Sequence, residues 1–579
     1  MSDEWKKHYR RWASFAALDR EMKELLTILK EDEVALEDCF YKNIEFGTGG
    51  MRGERGPGIN RINVYTVRKA SEGLARYLIE QGIEAKERGV VIAYDTRHKS
   101  HEFAFEAAKV LGKHGIRVYV FDILCPTPLL SFAVRHLGAS AGIVITASHN
   151  PPEYNGYKVY GPDGAQITLS IAQQLMTKIN EVDDELEIDL SDELTLKKNG
   201  LLKLIGTKLM EVYLEQIKNL RVQSGKASLT ADQIRIVFTP LHGTTMEAIT
   251  RGLKSFGYPN VTVVQEQAKP DPDFSTVASP NPEEHQAFTL AIQYAKEVDA
   301  DLILGTDPDG DRLGVAVKWL DGEYTVLTGN QTGALLLHYM LSHKQRIGLL
   351  PKNGAVLKTI VTSELGRAIA ADFGMATIDT LTGFKYIGEK IGTYEITKEY
   401  SFQFGYEESN GYLLGDFVRD KDAVQTALII ADVCAFYKTQ GKTIHDALLQ
   451  LFETYGFYDE GLHSLTFKGK EGMKKIRNIM TLFRSRPLTE MSGKKVIAIE
   501  DYLAGTRKEM QTGIIVPLSL PTSDVVKVQL EGESWFCVRP SGTEPKLKIY
   551  FGVKGDSLED GKQKLAHIRQ FVLNYIETA

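Results

Sequence analysis

Apolar runs alternate with amphipathic stretches along this chain in a pattern that occurs three times. The first copy is VVIAYDTRHKSHEFAFEAAKVLGKHGIRVYVF from Val90, the second IRIVFTPLHGTTMEAITRGLKSFGYPNVTVV from Ile234, the third AVLKTIVTSELGRAIAADFGMATIDTL from Ala355. Each reads as a buried strand, a polar turn, a helix with apolar positions three or four residues apart, a glycine and a second strand. A helix linking two such strands makes them parallel neighbours in a βαβ unit. Ser100, Thr244 and Ser363 are placed to cap the helices, and Gly115, Gly257 and Gly374 to end them in the left-handed conformation.

Each copy continues through another helical stretch into a third apolar strand: AGIVIT, DLILG and YSFQF. These strands open into the loops ASHNPPEYNGYK, TDPDGDR and GYEESNG. Ligands collect beyond the carboxyl ends of strands in open parallel sheets, so the loops are expected to face one cleft. The C-terminal part breaks the pattern, since WFCVRP, SGTEPK, LKIYFGV and a long last helix predict a smaller antiparallel α+β domain. The expected fold is α/β: three similar α/β domains with mixed, largely parallel sheets plus that α+β domain, four domains around a central cleft. Their expected extents are 1–205, 206–320, 321–450 and 451–579.

Composition narrows the function. With 579 residues, 43% of them hydrophobic, the chain has length for several cores. Lys and Arg number 69 against 76 Asp and Glu, a net charge of -7, which leaves no basic footprint for nucleic acid. An anionic ligand must therefore be held by local basic clusters. Cys39, Cys125, Cys434 and Cys537 form no CxxC pair and read as buried thiols of a reducing compartment. MSDEWKKHYRRW is too charged for a secretory signal, and polar residues interrupt apolar stretches such as TALIIADVCAFY, so a cytoplasmic protein without membrane contact is expected.

The loops carry the chemistry. Asp307, Asp309 and Asp311 alternate with Pro308 and Gly310 after a strand, a spacing that turns alternate side chains the same way in extended or turning backbone. Three hard oxygen donors suit magnesium, although a lone DxDxD also describes a solvated acidic turn. An EF-hand is excluded, because Arg312 and Lys318 stand where it needs glycine and glutamate. A phosphatase with Asp307 or Asp309 as nucleophile stays open as the rival mechanism. Ser148 ends the run AGIVITAS before His149, Asn150 and two prolines. It reads either as a turn serine bonded to local backbone or as a phosphoryl carrier, with His149 and Lys158 as hydrogen-bond donors or proton shuttles.

Two further matches fail. Gly138 to Gly142 fits GxSxG, but Ser140 follows a helix and precedes a strand, the reverse of a nucleophile elbow. GTGGMRG has Arg52 at the third glycine position of the dinucleotide fingerprint and reads instead as a phosphate-facing loop. Arg539, Ser541, Gly542 and Thr543 combine a guanidinium, hydroxyls and exposed amides that can wrap a phosphate dianion. Glu407 and Ser409 offer acceptors suited to sugar hydroxyls, because a carboxylate repels a second anion.

TASHNP, DPDGDR, YEESNG and RPSGTEPK, in this order along essentially the whole chain, resemble the α-D-phosphohexomutase family. The resemblance implies a heart-shaped enzyme in which a phosphoserine, here Ser148, gives its phosphate to a sugar monophosphate and regains another from the bisphosphate. It implies that Asp307, Asp309 and Asp311 hold Mg2+ together with a Ser148 phosphate oxygen. Arg52, His149, Lys158 and Arg312 match positions near the transferring phosphate. Glu407 and Ser409 match the sugar contacts, and Arg539, Ser541, Gly542 and Thr543 the loop for the other phosphate. The Glu-Glu-Ser form of the sugar loop is similar to that of glucose-preferring members, although Tyr406 and Asn410 depart from the usual residues. The expected reaction interconverts glucose 1-phosphate and glucose 6-phosphate, with glucose 1,6-bisphosphate as activator and intermediate. Pentose or mannose phosphates by the same mechanism are the alternative, ahead of a metal-dependent sugar phosphatase. The expected partners are small-molecule sugar phosphates, for a monomer or dimer.

Overall fold

A computed structural model of the protein describes residues 4–47, 50–222, 230–319, 321–467, 469–486, 488–491, 493–541 and 546–578. The chain divides into two compact units. One comprises Met1–Thr328, Phe384–Glu399 and Ser409–Gly441, the other Gly329–Gly383, Tyr400–Glu408 and Lys442–Ala579.

In the first unit one sheet runs in the order Phe46–Gly47, Gly50–Glu54, Tyr154–Tyr160, Ala141–Ile145, Val90–Tyr94, Val118–Phe121, Leu202–Ile205. The strands from Ala141 through Leu202 are parallel neighbours, whereas Tyr154–Tyr160 turns back antiparallel to Ala141–Ile145. Val90–Tyr94 and Ala141–Ile145 are buried throughout, which their unbroken apolar runs require of central parallel strands. Ile92, Ile143 and Ile145 share a core with Val67, Leu74, Ala104 and Leu111 of helices Val64–Glu80 and Ser100–Lys113, and with Trp12 and Phe40 of the N-terminal helices.

A second sheet in that unit has the order Tyr324–Val326, Leu313–Lys318, Leu302–Thr306, Ile236–Thr239, Val261–Val263. Leu302–Thr306 is parallel to Ile236–Thr239 and antiparallel to Leu313–Lys318. Both sheets therefore use one device. A parallel strand ends, the chain reverses, and the reversing loop is left at the strand's carboxyl end. Residues 146–153 and 307–312 are those loops.

In the second unit Ala376–Thr380, Gly354–Thr359 and Ser401–Glu407 are parallel strands. Helices Gly329–Arg346 and Leu365–Asp372 pack beside them. The C-terminal sheet is antiparallel in the order Phe457–Thr466, Lys546–Gly555, Ser534–Pro540, Val526–Leu530, Lys494–Asp501, Thr506–Glu509, Ile515–Pro517, and helix Leu558–Glu577 packs on it.

The strand–helix–strand unit thus forms in all three predicted places, and Gly115, Gly257 and Gly374 take φ of 70°, 89° and 69° at the helix ends. The capping expectation needs correction. Ser100 lies inside its helix and gives its hydroxyl to Asp95, while Thr244 donates to the Pro308 carbonyl. The Ser100 hydroxyl thus serves the turn just before its helix, and the Thr244 hydroxyl a loop distant in sequence. Ser363 does accept from the Leu365 amide, at 3.1 Å.

Candidate metal and active site

The Ser148 loop is held in an uncommon backbone state. Ser148 has φ 52°, the left-handed region, which costs a residue with a Cβ about 1–2 kcal/mol. Local bonds offset that cost. The Ser148 amide donates to Thr146 Oγ1 at 2.8 Å, and its carbonyl accepts from Arg97 Nη2 at 2.6 Å. Arg97 also donates to the carbonyls of Asn150, Pro151 and Tyr154, so one buried guanidinium grips the whole turn. Its outer face lies 4.9 Å from the Phe274 ring. Arg52, on strand Gly50–Glu54, donates to Asn150 Oδ1 at 2.7 Å in the same loop.

The Ser148 hydroxyl donates to Asp307 Oδ2 at 2.8 Å and lies 3.2 Å from His149 Nδ1. Asp307, Asp309 and Asp311 are buried, and one carboxylate oxygen from each falls within 4.8 Å of the others. A tight turn converges them. The Gly310 amide bonds the Asp307 carbonyl, Gly310 takes φ 67°, and the Asp311 and Arg312 amides donate to Asp307 Oδ1 at 3.1 and 3.0 Å. The loop rests on the segment after Ile236–Thr239, through Thr244 to the Pro308 carbonyl, and on Thr127, whose amide donates to the Asp309 carbonyl at 2.8 Å.

Two lysines divide the carboxylate oxygens. Lys158 Nζ lies 2.8 Å from Asp309 Oδ2 and 3.6 Å from Asp311 Oδ2, and Lys421 Nζ 2.8 Å from Asp311 Oδ2. Asp309 Oδ1 and Asp311 Oδ1 are buried without a hydrogen-bond partner. Orphaned buried carboxylate oxygens are costly unless something else binds them. Hard oxygen donors at this spacing fit a divalent cation such as Mg2+. The electrostatics agree. Burial, then the charges of Asp309 and Asp311, push the Asp307 carboxyl well above its ordinary range. Burial opposes ionisation of Asp309 too, yet Lys158 and a hydrogen bond from Asp307 hold it below the usual range. The metal-free triad thus keeps a proton where a cation would add positive charge. Burial, then the guanidiniums of Arg312 and Arg52, hold the His149 imidazole well below its usual value and so neutral. The Arg312 side chain reaches Glu283 Oε1 at 2.5 Å.

Among the expected site residues, Ser148, His149, Lys158, Arg52, Arg312 and the three aspartates lie in the first unit, with Ser409. Glu407, Arg539 and Ser541 lie in the second. Glu407 is buried at the end of its strand, and the next residue, Glu408, accepts from the Thr359 and Thr362 hydroxyls. Tyr406 points into the core, where its ring fills the space beside Gly333 and Gly366. Arg539 is the last residue but one of the strand Ser534–Pro540, and the Ser541 amide donates to the Lys546 carbonyl at 2.7 Å. Gly542 and Thr543 lie outside the described residues. Sequence reasoning missed Arg97, Thr127 and Lys421. An arginine two residues after a buried strand-end aspartate, Asp95, was the available signal for Arg97.

Comparison with known proteins divides the chain into four domains. Models of the phosphoglucomutase/phosphomannomutase alpha/beta/alpha domains I, II and III match residues 43–186, 211–319 and 328–455, and the C-terminal domain matches 489–567. A phosphoglucomutase of Staphylococcus epidermidis is 41% identical over 522 residues, covering 90% of this chain and 93% of that protein. One from Staphylococcus aureus is 40% identical over 550 residues, covering 95% and 97%. In fold, the chain is similar to the phosphoglucomutase parafusin of Paramecium, with TM-score 0.68, 18% identity and coverage of 93% and 95%. A phosphoglucomutase/phosphomannomutase family protein of Burkholderia thailandensis gives TM-score 0.64, 19% identity and coverage of 92% and 97%.

Proposed function

The chain belongs to the phosphoglucomutase/phosphomannomutase family, and on that premise we propose that it is a phosphoglucomutase with Ser148 as its phosphoryl carrier. The reaction interconverts glucose 1-phosphate and glucose 6-phosphate through glucose 1,6-bisphosphate. The observation that carries the reading is the Ser148 hydroxyl, 2.8 Å from the buried Asp307, beside the orphaned oxygens of Asp309 and Asp311. Both Asp307 oxygens are already engaged, one by two amides and the other by the serine, which supports serine over an aspartyl nucleophile.

In the forward step a sugar hydroxyl attacks the phosphorus on Ser148. The bond from phosphorus to Ser148 Oγ breaks, a bond to the sugar oxygen forms, and the hydroxyl proton leaves. His149, neutral and beside Ser148, can take that proton. The bisphosphate then returns its other phosphate to Ser148. Asp307, Asp309 and Asp311 would hold Mg2+, which neutralises charge on the transferring phosphate. Arg52 and Lys158 bring further positive charge to the serine loop and the carboxylates. Glu407 and Ser409 are assigned to sugar hydroxyls, Arg539 and Ser541 to the distal phosphate, and Arg312 to substrate. The four cysteines are buried and free, which supports a reducing cytoplasm. Among the described residues no helix is long and apolar enough to cross a membrane. We assign a monomer or dimer acting on small-molecule sugar phosphates.

The test is Ser148→Ala, assayed with glucose 1-phosphate, Mg2+ and trace glucose 1,6-bisphosphate, alongside peptide mapping of phosphate on the wild type. Turnover is expected to fall by about a thousandfold or more. Near-normal turnover in that variant would transfer the nucleophile's role to an aspartate.

A further inference from the structure

Lys421 touches the proposed metal centre from a segment that the sequence reading did not connect with it. Its ammonium lies 2.8 Å from Asp311 Oδ2, and its side chain is only 12% exposed. Its position is built. Asp420 accepts from the buried Tyr160 hydroxyl at 2.9 Å. Asp422 caps helix Ala423–Lys438 through the Val424 and Gln425 amides and accepts from Tyr213, and the Ala423 amide reaches the Gly310 carbonyl. Lys421 is thus fixed between two anchored aspartates, on a stretch tied to the very turn that bends the triad. Farther back on that stretch, the Asn410 carbonyl accepts from Leu313, just past the same turn.

We propose that Lys421 is a positioning residue that sets how strongly, and through which oxygen, Asp311 engages the metal. This rests on the reading of the triad as a metal centre. Lys421 and Lys158 each occupy an Oδ2, leaving Asp309 Oδ1 and Asp311 Oδ1 without hydrogen bonds; Arg312 Nε is 3.9 Å from the latter. Lys158 and Lys421 each set an ammonium charge against the triad's carboxylates, and Lys421 also lies 3.6 Å from Asp420 Oδ1. Without Lys421 one more carboxylate charge, that of Asp311, would be left uncompensated. Coulomb's law then makes the triad bind a cation more tightly. A cation neutralised by an extra carboxylate charge draws less charge from the phosphate, so turnover falls. Tighter metal with slower chemistry is a combination that simple damage to the site does not produce.

The experiment is calorimetric titration of Mg2+ alone into the dephosphorylated protein, with steady-state kinetics, for wild type, Lys421→Met, Lys421→Arg and Asp309→Asn. For Lys421→Met the expected result is a Kd for Mg2+ lower by about threefold or more and a kcat lower by about tenfold. Lys421→Arg, which keeps the charge, should return both toward wild type. Weaker or unchanged Mg2+ binding in Lys421→Met overturns the proposal, as does failure of the arginine to restore either value. Lys421→Arg keeps the question open to test if Lys421→Met does not fold, since a charge-balancing role requires it to bind Mg2+ within about threefold of wild type. Unaltered binding in Asp309→Asn would instead overturn the metal-centre reading itself.

Discussion

Asp307 keeps a proton in the metal-free fold that the unfolded chain gives up near the ordinary value of 3.8, because burial and then Asp309 and Asp311 disfavour its charge. Above that value the unfolded state binds fewer protons than the native one. Stability contributed by the protonated form is full below 3.8 and is lost as pH rises toward the raised native value. His149 has the opposite sign: its lowered value removes stability as pH falls below 6.5. Asp307→Asn isolates the first effect. In urea unfolding of chelator-treated protein at about pH 5 and about pH 7.5, wild type should lose more stability with rising pH than the variant, and Mg2+ should narrow that gap. Equal pH dependence would contradict a shared proton on Asp307. That Ser148 and the three aspartates come together was legible in the sequence because the loops carrying them open from buried strands. Arg97 and Lys421 were not, because their meaning lies in which carbonyls and carboxylates the fold brings to them.

At the scale of elements, the reversing hairpin makes the site. Leu302–Thr306 and Leu313–Lys318 pair antiparallel, so residues 307–312 must close in a few residues, and Gly310 at φ 67° permits it. A Cβ there would lie 2.4 Å from Thr245 Cγ2 and 2.8 Å from Pro126 Cβ, both in well-packed surroundings. Gly310→Ala is therefore expected to cost about 2–4 kcal/mol in urea unfolding and to weaken Mg2+ binding. A change under about 0.5 kcal/mol would show that the turn has slack. The repeated strands and helices were readable because their periods are local properties of the chain. The roles of Ser100 and Thr244 were not. A hydroxyl next to a helix start can serve the helix or a neighbouring loop, and only packing decides.

At the scale of the molecule, the chain moves between two compact units, leaving the second at Phe384 and again at Ser409, which hydrophobic periodicity could not foretell. The residues we assign to phosphoryl transfer belong to the first unit, whereas Glu407, Arg539 and Ser541 belong to the second. If chemistry and recognition are divided in this way, variants in the second unit should change binding more than the chemical step. A bisphosphate that presents either end to Ser148 needs a distal site that grips phosphate whichever way the sugar lies. Arg539 suits that task through charge-assisted hydrogen bonds, which are indifferent to the sugar. Arg539→Ala should raise KM for glucose 1-phosphate and ribose 1-phosphate alike, by about tenfold or more, with a smaller change in kcat. Glu407 is a buried carboxylate suited to hydroxyls, so Glu407→Gln should alter the ratio of kcat/KM between the two sugars. Measuring both variants on both substrates separates the roles: sugar preference altered by Arg539→Ala alone, with uniform weakening by Glu407→Gln, would reverse the assignment.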